Sequence, residues 1–470
     1  MSDAKPETHA PSRVDRSVTD QLVRLGHQPI TRIEPRSARQ IGRSPWSIGC
    51  ETLDRDFADF AHTGPHLGDL GATQPRLQAG WAKTDSGDGR YDFGWLDTIV
   101  DGCLGQGVRP WLELAYGNPA YPGGGGVGLS EGWPRSTAAL DAWDRWVTAT
   151  VNRYRDRVTT WEIWSEPENH AASTAEEYAA FFIRTARLVR ACDPDARIVG
   201  LALGGAVSYA EGVLAALDEA GAASLLDELS YHFYPHNPDG DFDKVAELAA
   251  LLARYAPHAS LRQGETGSPS ETVRFMALGE HEWSERKQAA WNLRRLLAHH
   301  ARGIPMNLFQ LSDMHYGAGR GLYIGRNSKG LLCTTADHRV AYRKPSYAAA
   351  QHVFSVFDDR FPLRALPNLA GEKTACTAAH AWTRDGDEAP SLVAWWRCDQ
   401  PPAIGAPAID TVTLPPQPIG RPVLVDFLSG VVFAPHEGGG DALWRDLPRT
   451  DVPLAIAEHA ALPLGDLEGA

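Results

Sequence analysis

The feature that most constrains how this chain folds is a rhythm. Eight short strand-like runs recur between Trp46 and Ser312: WSIGCE, a segment ending at Leu77, VRPWLELAYG, TTWEIWSE, ARIVGLAL, LDELSYHFY, SLRQGE and PMNLFQLS. Their aromatic and β-branched content favours strands. Amphipathic helical patterns separate several of them, including AALDAWDRWVTATVNRYRDR and AEEYAAFFIRTARLVRAC. Eight such units predict an α/β fold, a closed (β/α)8 TIM barrel over residues 46–345. An open doubly wound sheet usually has fewer units and a glycine-rich phosphate turn. The run Gly123 to Gly126 lacks a following Lys-Ser/Thr, so it reads as a flexible loop after the third strand.

Beyond Pro345 a short helix, SYAAAQHVFSVF, precedes AHAWTR, SLVAWWRC, TVTLP, RPVLVDF and VVFAP. Turn residues at short spacing between these runs predict an appended antiparallel β-sandwich over residues 346–470. Residues 18–45 are expected to give one or two strands that join it. Residues 1–17 are polar and are expected to form a disordered tail.

Composition narrows the function classes. The chain of 470 residues has a net charge of -14 and no basic cluster, which opposes binding to nucleic acid or an anionic membrane. It has no run of 18 apolar residues and no apolar core near Met1, so membrane spanning and export are not expected, and a cytoplasmic location is. The six cysteines are scattered without metal-like spacing and read as free thiols. No cofactor fingerprint and no metal site is expected. Of the fifteen tryptophans, two or three are expected at a ligand site and the others in cores. Oligomeric state is set by none of these features.

Chemistry enters at two strand ends. In WEIWSEPENH an apolar strand runs into Glu166 and is stopped by Pro167. In SLRQGETGSPS a second strand delivers Glu265 into a loop. The carboxyl ends of barrel strands are where catalytic groups sit in this fold. Two such carboxyl groups suit glycosidic bond cleavage, with one protonated as acid and the other ionised as nucleophile or base. A separation of about 5 to 5.5 Å would mark the retaining geometry.

With these motifs, and with RLQAGWAK around Arg76, YDFGWLDTIVDGCLGQGVRPWLELAYGNPAY and SYHFYPH, the chain resembles the retaining glycoside hydrolases of clan A. It is most similar to the family 39 type that includes β-xylosidases and α-L-iduronidases. The resemblance implies that Glu166 is the acid/base, that Glu265 is the nucleophile, and that a carbohydrate is the partner. Ser165 stands where the clan usually has an asparagine that grips the sugar 2-hydroxyl, which implies altered recognition at that carbon. Arg76 matches the clan's arginine beside the nucleophile, while Gln78 replaces its histidine. Tyr234 matches the clan tyrosine near the nucleophile, with His232 beside the sugar.

Position along the strands adds Tyr116 and Asn118 after the third, Glu51 ending the first and Gln310 in the eighth, with Asp313 and His315 beyond it. Each is a candidate for hydrogen bonding sugar hydroxyls, and Asn118 is equally suited to a Gly-Asn-Pro turn. The leading expectation is a glycosidase acting through a covalent glycosyl-enzyme intermediate, with a raised pKa on Glu166 and a low one on Glu265. A transglycosidase and a catalytically silent sugar-binding barrel are the alternatives.

Overall fold

The computed structural model describes residues 10–170, 173–274, 276–317, 325–359, 376–384, 386, 389–435 and 440–467. Eight parallel strands form a closed barrel: Trp46–Gly49, Gln74–Gln78, Trp111–Leu114, Thr160–Ile163, Arg197–Leu203, Glu228–Tyr231, Ser260–Thr266 and Met306–Leu308. The first strand pairs with the eighth, Trp46 opposite Met306 and Ile48 opposite Leu308. All four residues of the first, third and sixth strands are buried, as a sheet covered on both sides requires.

The outer ring follows from sequence periodicity. Helix Thr137–Tyr154 buries Ala139, Ala142, Trp143, Trp146, Val147, Thr150 and Tyr154, a stripe at three- and four-residue spacing. Ser136 starts it by accepting the Ala139 N–H, and Thr174 and Glu177 form a capping box at Ala175–Cys192. Such a cap typically contributes about 1 kcal/mol. Trp81 stacks on Trp146 at 6.0 Å and meets Trp143 edge-on at 5.4 Å, so much of the tryptophan content fills the space between strands and helices.

Helix Pro345–Val356, expected to open the appended domain, follows the eighth strand, is almost wholly buried, and packs on Glu285–His300 and Leu67–Leu70. It therefore completes the helical ring, and the division falls after this helix rather than before it. The appended region is antiparallel. Seven strands lie in the order Thr377–Trp382, Leu392–Arg397, Leu454–Glu458, Pro422–Asp426, Val431–Phe433, Pro29–Ile33 and Leu464–Gly465. A separate ribbon joins Asp410–Val412 to Leu447–Arg449.

The N-terminal expectation needs correction. One strand, Pro29–Ile33, does enter the sheet, but Ser17–Arg24 is a helix. Val18 and Leu22 are four apart and share its buried face, a spacing that alternation cannot supply. Part of the segment expected to be a tail is also held in the fold. Ser12 bridges to Arg343 and the Arg13 N–H donates to the Arg343 carbonyl at 3.0 Å, while residues 1–9 lie outside the described ones.

The glycine run is not a loose loop either. The Gly117 N–H donates to the Gly126 carbonyl at 2.9 Å and the Asn118 N–H to that of Gly124 at 2.9 Å. A Cβ on Gly124 would lie 2.2 Å from the Asn118 oxygen, and one on Gly125 only 1.9 Å from that of Gly132. Glycine is required there by close backbone approach.

Candidate active site

A cavity of about 770 Å³ opens at the carboxyl end of the barrel, with Glu51, Ser165, Glu166, His232, Tyr234 and Glu265 in its wall. The fourth strand ends at Ile163, and Glu166 leaves it with φ of 45°, in the left-handed region. Its N–H donates to the Ala202 carbonyl at 3.0 Å, where the fifth strand breaks register between Gly200 and Leu203. Pro167 then opens a single 3-10 turn, Pro167–Asn169, which returns Asn169 so that its Nδ2 donates to Glu166 Oε2 at 2.6 Å. A strained backbone fixed from both sides aims the carboxylate into the cavity.

Glu265 lies near the end of the seventh strand. The Tyr234 hydroxyl donates to its Oε1 at 2.7 Å and Arg76 Nη1 to its Oε2 at 3.0 Å. His232 stands between the two glutamates, with Nδ1 2.9 Å from Glu166 Oε1 and 3.7 Å from Glu265 Oε2. Donor atoms of Glu166, His232 and Glu265 all lie within 4.8 Å of one another.

Beneath the cavity floor Arg76 is wholly buried among four carboxyl groups. Its Nη1 donates to Glu51 at 2.6 Å as well as to Glu265, its Nε to Glu162 at 2.6 Å, and its Nη2 to Glu113. Burial would lower the arginine pKa, and the four carboxylates outweigh it and hold it well above its usual value. One cation cannot balance four charges in a low-dielectric interior. Burial accordingly raises Glu113 well above the carboxylate range despite Arg76.

Glu265 was expected to have a low pKa because of Arg76, and here the structure differs. Burial, followed by the Glu51 carboxylate, pushes it up to about 7 against the opposing pull of His232 and Arg76. For His232, burial acts downward, but Glu265 and the hydrogen bond to Glu166 carry it up to about 9.

The remaining predicted residues divide into two groups. Tyr116 lines the cavity under Arg55, whose guanidinium sits 4.7 Å from the ring centroid, and Ser165 lines it with Oγ 3.5 Å from Arg76 Nη2. Four others do not line it. Arg76 lies below the floor. Gln78 donates to Glu51 Oε2 at 3.0 Å and accepts from the Thr52 N–H at 2.7 Å, so it props Glu51 instead of meeting a sugar. Asn118 spends its side chain on the Asp85 carbonyl at 2.7 Å and the Ala120 N–H at 3.0 Å, the turn role. Gln310 is buried behind Phe309, which does line the wall. Asp313 is held by Lys344 at 2.6 Å and His315 by Thr334, both away from the cavity.

None of the fifteen tryptophans lines the cavity, and the aromatic wall is made by Phe57, Tyr116, Phe233, Tyr234, Phe309 and Tyr316. Sequence reasoning missed Arg55, Asn169 and Lys329, which also line it. Asn169 carried a signal, standing three residues after Glu166 across a proline. The spacing of Glu166, His232 and Glu265 would also let them grip a cation. In the structure His232 Nδ1 lies 2.9 Å from Glu166 Oε1, and the neighbouring carboxylates lift the imidazole to about 9.

Residues 78–257 match the sequence profile of Glycosyl hydrolases family 39. A β-xylosidase of Geobacillus stearothermophilus is 27% identical over 128 residues, which cover 24% of this chain and 25% of that protein. The match thus spans about a quarter of that relative's length. Among solved structures, a monomeric β-xylosidase of Caulobacter crescentus CB15 superposes with a TM-score of 0.56 at 20% identity, covering 84% of this chain and 83% of that one. A GH39 enzyme of Xanthomonas axonopodis pv. citri gives 0.56 at 17% identity, covering 97% and 98%. These two likenesses speak for the shared barrel-and-sheet fold. The profile match runs through the third to sixth barrel strands and takes in Glu166 and His232, so over these residues the chain is similar to glycoside hydrolase family 39.

Proposed function

We propose that this chain hydrolyses a glycosidic bond with retention of configuration, with Glu265 as nucleophile and Glu166 as acid/base. The observation that carries this reading is the approach of the two carboxyl groups to within 4.8 Å. Retaining enzymes hold the pair about 5 to 5.5 Å apart, whereas inverting enzymes need about 6.5 to 9.5 Å to seat a water between them.

In the first step a Glu265 oxygen attacks the anomeric carbon while Glu166 gives its proton to the leaving oxygen. In the second, Glu166 takes a proton from water, which displaces the sugar from Glu265. Tyr234 and Arg76 fix the attacking carboxylate by two hydrogen bonds. His232 stands against both glutamates, 2.9 Å from Glu166 and 3.7 Å from Glu265, and so fixes their relative placement.

The relatives named β-xylosidases make a β-xyloside the first substrate to try, and Ser165 makes 2-substituted and differently configured sugars the second. The test is the anomer first released from an aryl glycoside, read by NMR. Retention is expected, and release of the opposite anomer would sink the reading. Glu265→Ala should abolish turnover. Glu166→Ala should keep activity on substrates with acidic leaving groups and be rescued by azide as a glycosyl azide.

A further inference from the structure

Two of the six cysteines stand opposite one another at the outer edge of the appended sheet, and no part of the chemistry above uses them. Strands Thr377–Trp382 and Leu392–Arg397 pair antiparallel with Thr377 opposite Arg397. Continuing that register by one residue sets Cys376 opposite Cys398, and the Cys398 N–H does donate to the Cys376 carbonyl at 2.9 Å. Directly opposed residues on antiparallel strands carry their side chains on the same face, with Cα atoms about 5.5 Å apart in a hydrogen-bonded pair. A disulfide needs Cα atoms about 4.4 to 6.8 Å apart. Both thiols are free and only partly buried.

From this juxtaposition we infer that Cys376 and Cys398 form a site of reversible disulfide formation, with a low-molecular-weight disulfide as oxidant. One thiolate attacks the oxidant, forming a mixed disulfide and expelling one small thiolate. The second cysteine then attacks the protein-bound sulfur and expels the other. Two protein thiols are oxidised and one small disulfide is reduced to two thiols, so electrons and protons balance.

The same strand end reaches toward the cavity. The Cys398 carbonyl accepts from Asn237 Nδ2 at 2.9 Å, Trp396 Nε1 donates to Asp239 Oδ1 at 2.9 Å, and the Gln400 carbonyl accepts from Arg294 at 3.0 Å. The loop held in this way ends at Asp241, which lines the cavity with Lys244. A bond between residues 376 and 398 would therefore clasp the strands that hold this part of the rim. The Asp399 carboxylate keeps the Cys376 thiol above its ordinary pKa, and burial pushes Cys398 up to about 11. The bond should form faster as pH rises.

Two of the four remaining cysteines supply the contrast. Cys50 and Cys103 lie in the core, burial raises both thiols, and neither meets solvent freely. The test incubates the full chain with oxidised glutathione at pH 7 and pH 9 and counts thiols after denaturation. A fall from six to four is expected, faster at pH 9, with one linked peptide pair joining Cys376 to Cys398 by mass spectrometry. Cys376→Ser should form no internal bond, and its unfolding temperature should not respond to the oxidant. That of the native chain should rise and return with dithiothreitol. Six surviving thiols, stable separate glutathione adducts on Cys376 and Cys398, or a linkage between another pair would overturn the inference. Because the readout is thiol count and linkage, it does not depend on the glycosidase reading.

Discussion

Arg76 is the residue on which the site depends most, since four carboxyl groups share it. Replacing it by methionine keeps the volume but leaves those groups buried without their cation. Arg76→Met should cost about 3 to 5 kcal/mol of stability, the usual result of removing one partner from a buried ionic cluster, measured by urea unfolding. A loss under about 1 kcal/mol would mean the carboxyls reach water.

The raised Glu265 gives a second residue-scale expectation. Its attack requires the ionised form, so the acidic limb of kcat/KM should fall near pH 7 rather than near the ordinary carboxylate value. Glu51→Gln removes the neighbouring charge that raises Glu265, so that limb should move to lower pH. An unmoved limb would show that Glu51 is not charged beside it. The same shift has a sign for stability. A folded pKa above the unfolded one means that the native state binds the extra proton, so this contribution is full below pH 4.5 and is lost as pH rises to about 7.

Ser165 gives a third. Ser165→Asn should lower kcat/KM on the natural substrate by roughly fivefold to a hundredfold, corresponding to about 1 to 3 kcal/mol for a clash or unpaired polar groups. A gain on plain β-xylosides with no loss elsewhere would instead mark serine as neutral.

Position along a strand, together with the family resemblance, pointed to Glu166, Glu265, His232 and Tyr234, all of which line the cavity. It could not tell how far inward a side chain ends. Gln78 and Gln310 face the barrel yet stop beneath or behind the wall, and Asn118 is consumed by its own turn. Asn169 depends on a 3-10 turn and a left-handed Glu166, which are three-dimensional facts. The pKa of Glu265 was misjudged for the same reason, because Glu51 and the burial around it become neighbours only after the barrel closes.

Among elements, the loop after the third strand was the one read least well. Four successive glycines suggest mobility in a sequence, whereas here they permit two stretches of backbone to touch. Gly125 has φ of 76° and faces the Gly132 carbonyl, so an alanine meets both strain and collision. Gly125→Ala should destabilise the loop by roughly 1 to 3 kcal/mol. Since Gly128 and Leu129 line the cavity, KM should rise more than kcat falls. A rise in kcat with unchanged KM would instead assign the loop to product release. The helix Ser17–Arg24 was hidden because eight residues offer only two turns of periodicity.

At the scale of the molecule, barrel and sheet are joined by buried polar groups as well as by apolar packing. Arg286, on the helix after the seventh strand, makes a two-pronged contact with Asp451 at 2.6 and 3.2 Å, and Arg294 is held between Asp239 and the Gln400 carbonyl. The two parts should therefore unfold in one transition by calorimetry. Trp396→Phe, which removes the donor to Asp239, should raise KM through the Asn237–Asp241 loop with little change in kcat. Two separated transitions would show the appended sheet to be thermodynamically independent.

The strand Pro29–Ile33, seated between Val431–Phe433 and Leu464–Gly465, has a mechanical consequence. Arg32 and Ile33 run antiparallel to Gly465 and Leu464, so a pull on the two chain ends loads their hydrogen bonds one after another, as in opening a zip. Force applied in this way should open the Ser12–Arg343 bridge and then peel the sheet at low load before the barrel itself unfolds. A force trace that begins with a single large rupture of the barrel would contradict that path.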